Sequence, residues 1–182
     1  MTHKPHFKLR RMIVAVDFSE QSRNALYDAI ELAKPFDAQI ILLHVVEAIV
    51  FPPDVEVVEL AVLARRLNEE AAKLLSEWRK EAASEARVRE DLRAGTPYRE
   101  IVKAADEHNG DLLVLGTHGR TGLSRLLIGS TAERVVRQAP CPVLVVRERG
   151  DGRARHSRTA SSIKVGRRRP PRLVTRRQVN EP

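Results

Sequence analysis

Residues 112–147 read LLVLGTHGRTGLSRLLIGSTAERVVRQAPCPVLVVR. The apolar run Leu112 to Leu115 stops at Gly116. Gly119 follows after two residues and Gly129-Ser130 after nine more. Ser130 opens the amphipathic segment Ala132 to Gln138, and Pro140 and Pro142 separate it from a second apolar run, Val143 to Val146. The order is strand, glycine-punctuated loop, helix, strand. Such a loop brings backbone N–H groups up to an anion, with the positive end of a helix dipole behind them. The stretch therefore predicts a phosphate cradle and, with it, a nucleotide-binding protein. Glycines also serve as plain turn residues, and Ser130 and Thr131 as plain helix caps. The flanking strand and helix favour the cradle.

The same alternation extends back to the start of the chain. Met12 to Val16 is a short β-branched run suited to a strand covered on both faces. Asp17-Phe18-Ser19 ends it, and Ser19 is a good N-cap for a helix to about Ala33, with Leu26, Ala29, Ile30 and Ala33 at helical spacing. Pro35 to Asp37 break that helix before a second buried strand, Ala38 to Val46. Val55 to Ala86 follows Pro52-Pro53-Asp54 and has the Ala, Leu, Glu, Lys and Arg content of a long helix. Val88, Glu90, Leu92 and Ala94 alternate with Arg87, Arg89, Asp91 and Arg93, which suits a more exposed strand near a sheet edge. Thr96 and Pro97 then provide an N-cap and a first helical residue. Ile101, Val102, Ala104 and Ala105 give the buried face of this helix, and Asn109-Gly110 its stop.

Strand and helix thus alternate four times before a fifth strand. The pattern predicts an α/β protein: a single doubly wound, mostly parallel five-stranded sheet with helices on both faces. Ligands of such sheets sit beyond the carboxyl ends of the strands, where strand order reverses. Asp17 and Gly116 both fall at carboxyl ends.

The chain has 182 residues and a net charge of +8. Residues 147–182 carry 12 Lys and Arg against 3 Asp and Glu, so +9 belongs to the tail and −1 to residues 1–146. Residues 1–148 are expected to form the folded domain and 149–182 a basic, disordered tail too poor in large apolar residues to offset its ordering entropy. Arg167-Arg168-Arg169 and Arg176-Arg177 could meet nucleic acid phosphates, but no aromatic is interleaved to stack on bases. Arg158-Thr159-Ala160-Ser161 could accept phosphate from a basophilic kinase, although such strings are common. Cys141 is the single cysteine, which excludes an internal disulfide and suits a small buried residue in a cytosolic protein. Neither a secretory signal nor a run of about 20 apolar residues occurs, so no membrane insertion is expected.

No GxxxxGK[ST] is present, and two residues rather than one separate the first pair of glycines, so neither a Walker A loop nor GxGxxG fits. The spacing G-x2-G-x9-G-S between a strand and a helix resembles the nucleotide signature of the universal stress protein family. Val14-Ala15-Val16-Asp17-Phe18-Ser19 and Leu42-Leu43-His44-Val45 resemble its first two strand endings. Gly119-Arg120-Thr121-Gly122 and Pro142-Val143-Leu144-Val145-Val146 resemble its loop and closing strand. The match spans about residues 8–148.

This resemblance to the family's ATP-binding subgroup implies strand order 3-2-1-4-5 and a regulatory, stress-response module that binds ATP, with Mg2+ as its companion. It implies that Asp17 lies near ribose and phosphates and that Val45 meets adenine through its backbone. Gly116 and Gly119 let the loop approach the nucleotide, and Gly129, Ser130 and Thr131 donate to phosphates. Ala15, Val16, Leu115, Thr117 and Arg120 complete the implied lining. Some ATP-binding members carry a hydroxyl where this chain has Ala132, a lost donor on the order of 1 kcal/mol. The resemblance also implies a homodimer through the apolar edge Val143 to Val146.

Slow ATP hydrolysis or phosphotransfer is the competing enzyme reading. It lacks a dedicated general base beyond Asp17 or His118, and neither a catalytic set nor a metal set is recognised. His44, inside an apolar strand, reads as a hydrogen-bonded structural histidine, and His118 as lining. Arg120 and Arg125 could reach phosphate oxygens or remain solvated. Trp78 reads as packing. A two-component receiver would need paired acidic residues after the first strand, where only Asp17 stands.

Overall fold

The computed structural model describes residues 8–47, 57–117 and 129–147, with the backbone alone at 57–59. Five strands, β1 (Arg11–Ala15), β2 (Gln39–Glu47), β3 (Arg87–Gly95), β4 (Leu112–Gly116) and β5 (Val143–Val146), form one sheet in the order β3-β2-β1-β4-β5. Every pairing is parallel, so the "mostly" of the sequence reading is corrected to wholly parallel. Four helices connect the strands: α1 (Glu20–Ala33), α2 (Val57–Ala82), α3 (Pro97–Glu107) and α4 (Ser130–Gln138).

β1, β2 and β4 are near-continuous apolar runs because alternate residues point to opposite faces and both faces are covered. Met12, Val14, Ile40, Leu42, Leu112 and Val114 share one cluster with α1 residues Leu26 and Ile30 and α2 residues Leu75 and Trp78. Ile13, Ile41, Leu43, Leu113 and Leu115 form the other, with Ile101 of α3 and Val135 of α4. Among the described residues the predicted buried stripe of α1, Leu26, Ala29, Ile30 and Ala33, is buried throughout.

Several boundaries differ from the sequence reading. β1 and β2 are each displaced by one residue, and α2 ends at Ala82 because Ala83 to Ala86 turn the chain into β3. Residues 48–56, just before Val57, lie outside those described. β3 is the exposed edge strand that its alternation predicts. Arg93 fastens it to α3 through Glu107 at 2.7 Å and pairs with Asp91 of its own strand at 2.9 Å. Burial works against the Arg93 charge, yet hydrogen bonds to Asp91 and Glu107 raise its pKa above the ordinary arginine value. Thr96 occupies the N-cap of α3 but makes no side-chain cap; its carbonyl accepts from Arg99 and Glu100 instead.

The stop after α3 is tight. Asn109 adopts φ 49°, a conformation asparagine tolerates, and Gly110 donates its N–H to the Ala105 carbonyl at 2.8 Å. A Cβ at Gly110 would lie 2.9 Å from Cγ1 of Ile13, which is fully buried on β1. Gly110→Ala is therefore expected to destabilise the fold by about 1–3 kcal/mol through overpacking, read from the midpoint of urea unfolding.

Candidate functional site

β1 runs beside β2 on one side and β4 on the other, and sheet order reverses between β1 and β4. That is the place where doubly wound sheets bind ligands. Ala15 pairs with Leu115, so the chain leaves β1 through Val16-Asp17 next to where it leaves β4 through Gly116-Thr117. The structure brings Ala15, Val16, Asp17, Leu115, Gly116 and Thr117 together at the carboxyl ends of these two inner strands.

The β1 exit is heavily bonded. Val16 keeps a ladder bond, its N–H donating to the Leu43 carbonyl at 2.8 Å. Asp17 N–H donates to Ser22 Oγ at 3.3 Å. Asp17 Oδ1 accepts from Ser19 N–H at 3.1 Å and from Ser19 Oγ at 2.5 Å. Ser19 is the N-cap that the sequence predicts, its Oγ accepting from Ser22 N–H at 3.2 Å. Asp17 thus supports the cap through Ser19.

The β4 exit ties α4 to the sheet. Thr117, buried, donates its N–H to the Val146 carbonyl at 2.9 Å and accepts from Gly129 N–H at 2.8 Å. In this structure the Gly129 amide is thus bonded to the Thr117 carbonyl. Gly129 is the N-cap of α4 and no side chain caps the helix, which corrects the reading of Ser130 and Thr131 as caps. Helix geometry leaves the first-turn amides, those of Ser130, Thr131 and Ala132, without intrahelical acceptors. Ala132 is itself buried in the apolar cluster, so its N–H is the group it can offer an anion. Gly116 approaches Gln21 in the first turn of α1, where a Cβ would sit 3.4 Å away in ordinary contact. Gly119 and Arg120, with His118 and Arg125, lie outside the described residues.

Val45 lies half-buried near the carboxyl end of β2, two residues past Leu43, the partner of Ala15. Ala15 and Val45 pack against the same apolar cluster as Tyr98, at the first turn of α3. Tyr98 was not singled out from sequence, although its three-residue spacing from Ile101 marks the buried stripe. Arg99 Nε donates to its hydroxyl at 2.9 Å, and the Arg134 guanidinium of α4 lies 5.0 Å from its ring centre. The Arg99 hydrogen bond holds the Tyr98 phenol below its ordinary pKa.

The structural reading of His44 is borne out: buried, its Nδ1–H donates to the Val16 carbonyl at 2.7 Å. Trp78 is packing, as expected. Cys141 is half-buried, not fully buried as the sequence suggests. Burial, and then Asp111, push its thiol above the ordinary value. Cys141 should therefore alkylate more slowly than free cysteine at pH 8, measured with iodoacetamide by mass spectrometry. Among the described residues no group of three His, Cys, Asp or Glu could hold a metal ion, and no helix is long and apolar enough to cross a membrane.

Residues 8–147 match the model of the universal stress protein family. The chain belongs to that family. Universal stress protein MJ0531 of Methanocaldococcus jannaschii is 36% identical over 140 residues, covering 76% of this chain and 82% of its own. Among solved structures, universal stress protein UspA from Lactobacillus plantarum superposes with a TM-score of 0.68 at 28% identity, covering 77% of this chain and 99% of that one. A universal stress protein crystallised in complex with cAMP superposes with a TM-score of 0.57 at 25% identity, covering 76% and 97%. The fold shared with these family members is the five-stranded parallel sheet described above.

Proposed function

We propose that this universal stress protein binds ATP at the junction of β1 and β4 and acts as a cytosolic regulatory module whose state follows nucleotide occupancy. The observation that carries the reading is the convergence of Asp17, Gly116 and the N-terminal end of α4 at the single reversal of strand order. A family member in complex with cAMP supports an adenine nucleotide. In this reading Ser130, Thr131 and Ala132 offer amides to the phosphates, and Asp17 faces the ribose and the phosphates. Ala15, Val16, Leu115 and Thr117 form the floor, and the Val45 backbone meets adenine. Gly119 and Arg120, outside the described residues, belong to the proposed binding set by their place in the glycine spacing. Mg2+ would be held mainly by phosphate oxygens, with Asp17 as the nearby carboxylate. Hydrolysis is not part of the proposal: of the two candidate bases, Asp17 is bonded to Ser19, and His118 lies outside the described residues.

Titration calorimetry of the full chain with ATP and ADP, with and without Mg2+, tests the reading. Heat of binding and a raised melting temperature are expected with ATP. Silence at millimolar ATP and ADP would sink it. Mass spectrometry of small molecules released by heating the purified protein gives an independent reading of the ligand.

The reading includes a homodimer through β5. This strand stands at the sheet edge, with Leu144 exposed on it and Val136 exposed on neighbouring α4. Leu144→Asp is expected to convert dimer to monomer in sedimentation equilibrium while leaving the monomer folded. The fold division at residue 148 and the basic tail remain part of the same proposal: deletion of 149–182 should leave ATP affinity unchanged.

A further inference from the structure

Three non-glycine residues among those described have positive φ: Phe18, Asp37 and Asn109. Asp and Asn adopt this conformation readily, but a phenylalanine at φ 64° is strained. Strain of this kind persists only where the surroundings over-determine it, and it gathers at functional sites. The surroundings here are specific. The Phe18 ring centre lies 4.3 Å from that of His44, and Trp78 meets it edge-on at 5.4 Å and 84°. His44 and Trp78 are both buried and come from β2 and α2.

The residue held in front of this stack is Asp17. The peptide group joining Val16 to Asp17 is bonded by side chains at both ends. Its carbonyl accepts from His44 Nδ1–H and its N–H donates to Ser22 Oγ. The carboxylate of Asp17 is then oriented by Ser19. Peptide plane, following residue and carboxylate are all set by the folded protein alone.

We propose that His44 and Phe18, backed by Trp78, are positioning residues that preorganise Asp17 for the nucleotide. The inference rests on the ATP reading of the β1–β4 junction. A rigid turn adds affinity by removing the cost of ordering on binding.

The test compares ATP affinity of folded full-length variants by calorimetry at low temperature, with unfolding curves measured in parallel. His44→Phe keeps a ring against Phe18 and deletes the donor to Val16; His44→Asn keeps a donor near the place of Nδ1. His44→Phe should bind ATP about tenfold more weakly, and His44→Asn should recover most of that loss. Phe18→Ala and Phe18→Gly both lose the ring, but glycine alone accepts positive φ freely. Phe18→Gly should therefore bind about fivefold more tightly than Phe18→Ala. A purely structural role would shift the unfolding midpoints and leave the affinity of the folded molecules unchanged. Wild-type binding combined with equal affinities across both pairs overturns the proposal alone. Absence of ATP and ADP binding by the wild type overturns the nucleotide reading, and this inference with it.

Discussion

Ser130→Asp is expected to make the protein slightly more stable and a far poorer ligand for ATP. Ser130 is exposed at the first position of α4. A carboxylate there complements the helix dipole and should stabilise the helix by about 0.3–1 kcal/mol. The same carboxylate would face the phosphates. Two unit charges about 6 Å apart at an effective dielectric near 20 repel by about 3 kcal/mol, roughly a hundredfold in affinity. The two effects have opposite signs, so misfolding cannot imitate the result. Calorimetric titration and thermal unfolding of one preparation give both readings, and the affinity loss should shrink as salt is added. Ser130→Asn is the neutral control. Unchanged ATP affinity in Ser130→Asp would move the phosphate seat away from α4.

Trp78→Ala is expected to have the largest effect on stability, about 3–5 kcal/mol, out of a total that for ordinary domains is roughly 5–15 kcal/mol. Trp78 is buried between α2, the sheet and the β1 exit, where it meets Phe18 edge-on. The Arg23 guanidinium of α1 lies 4.2 Å from its ring centre and pairs with Glu81 of α2 at 2.9 Å. Tyr27 donates its hydroxyl to the same carboxylate at 2.9 Å. One truncation therefore opens a cavity and removes the surface on which the α1–α2 clamp rests. Trp78 is the sole tryptophan, so the transition must be followed by circular dichroism instead of fluorescence. Trp78→Phe should retain most of the stability. A loss below about 1 kcal/mol in Trp78→Ala would show that this packing matters less than its burial implies.

The parts of this protein legible in its sequence are those governed by local rules. Buried parallel strands read as apolar runs because both faces are covered, and Met12, Ile40 and Leu113 show it. Ser19 declared a helix start because a hydroxyl there satisfies an orphan amide three residues on. The run from Arg87 to Ala94 declared an exposed strand near the sheet edge, and no residue of β3 is fully buried. The site was legible only in part. Asp17 and Gly116 could be placed at strand ends, and their neighbourhood followed once β1 and β4 were adjacent.

Local pattern sufficed for the alternation of strands and helices, the Ser19 cap, the breaks and the apolar character of the inner strands, because each depends on residues within a turn or two. Long-range pairing decided the rest. The Gly129 amide went to the Thr117 carbonyl, 12 residues earlier, a bond that ties the start of α4 to the end of β4. The strained backbone of Phe18 depends on His44 and Trp78, which arrive from β2 and α2. No propensity of phenylalanine foretells a positive φ, because the contacts that hold it exist only after the sheet and α2 have assembled around it.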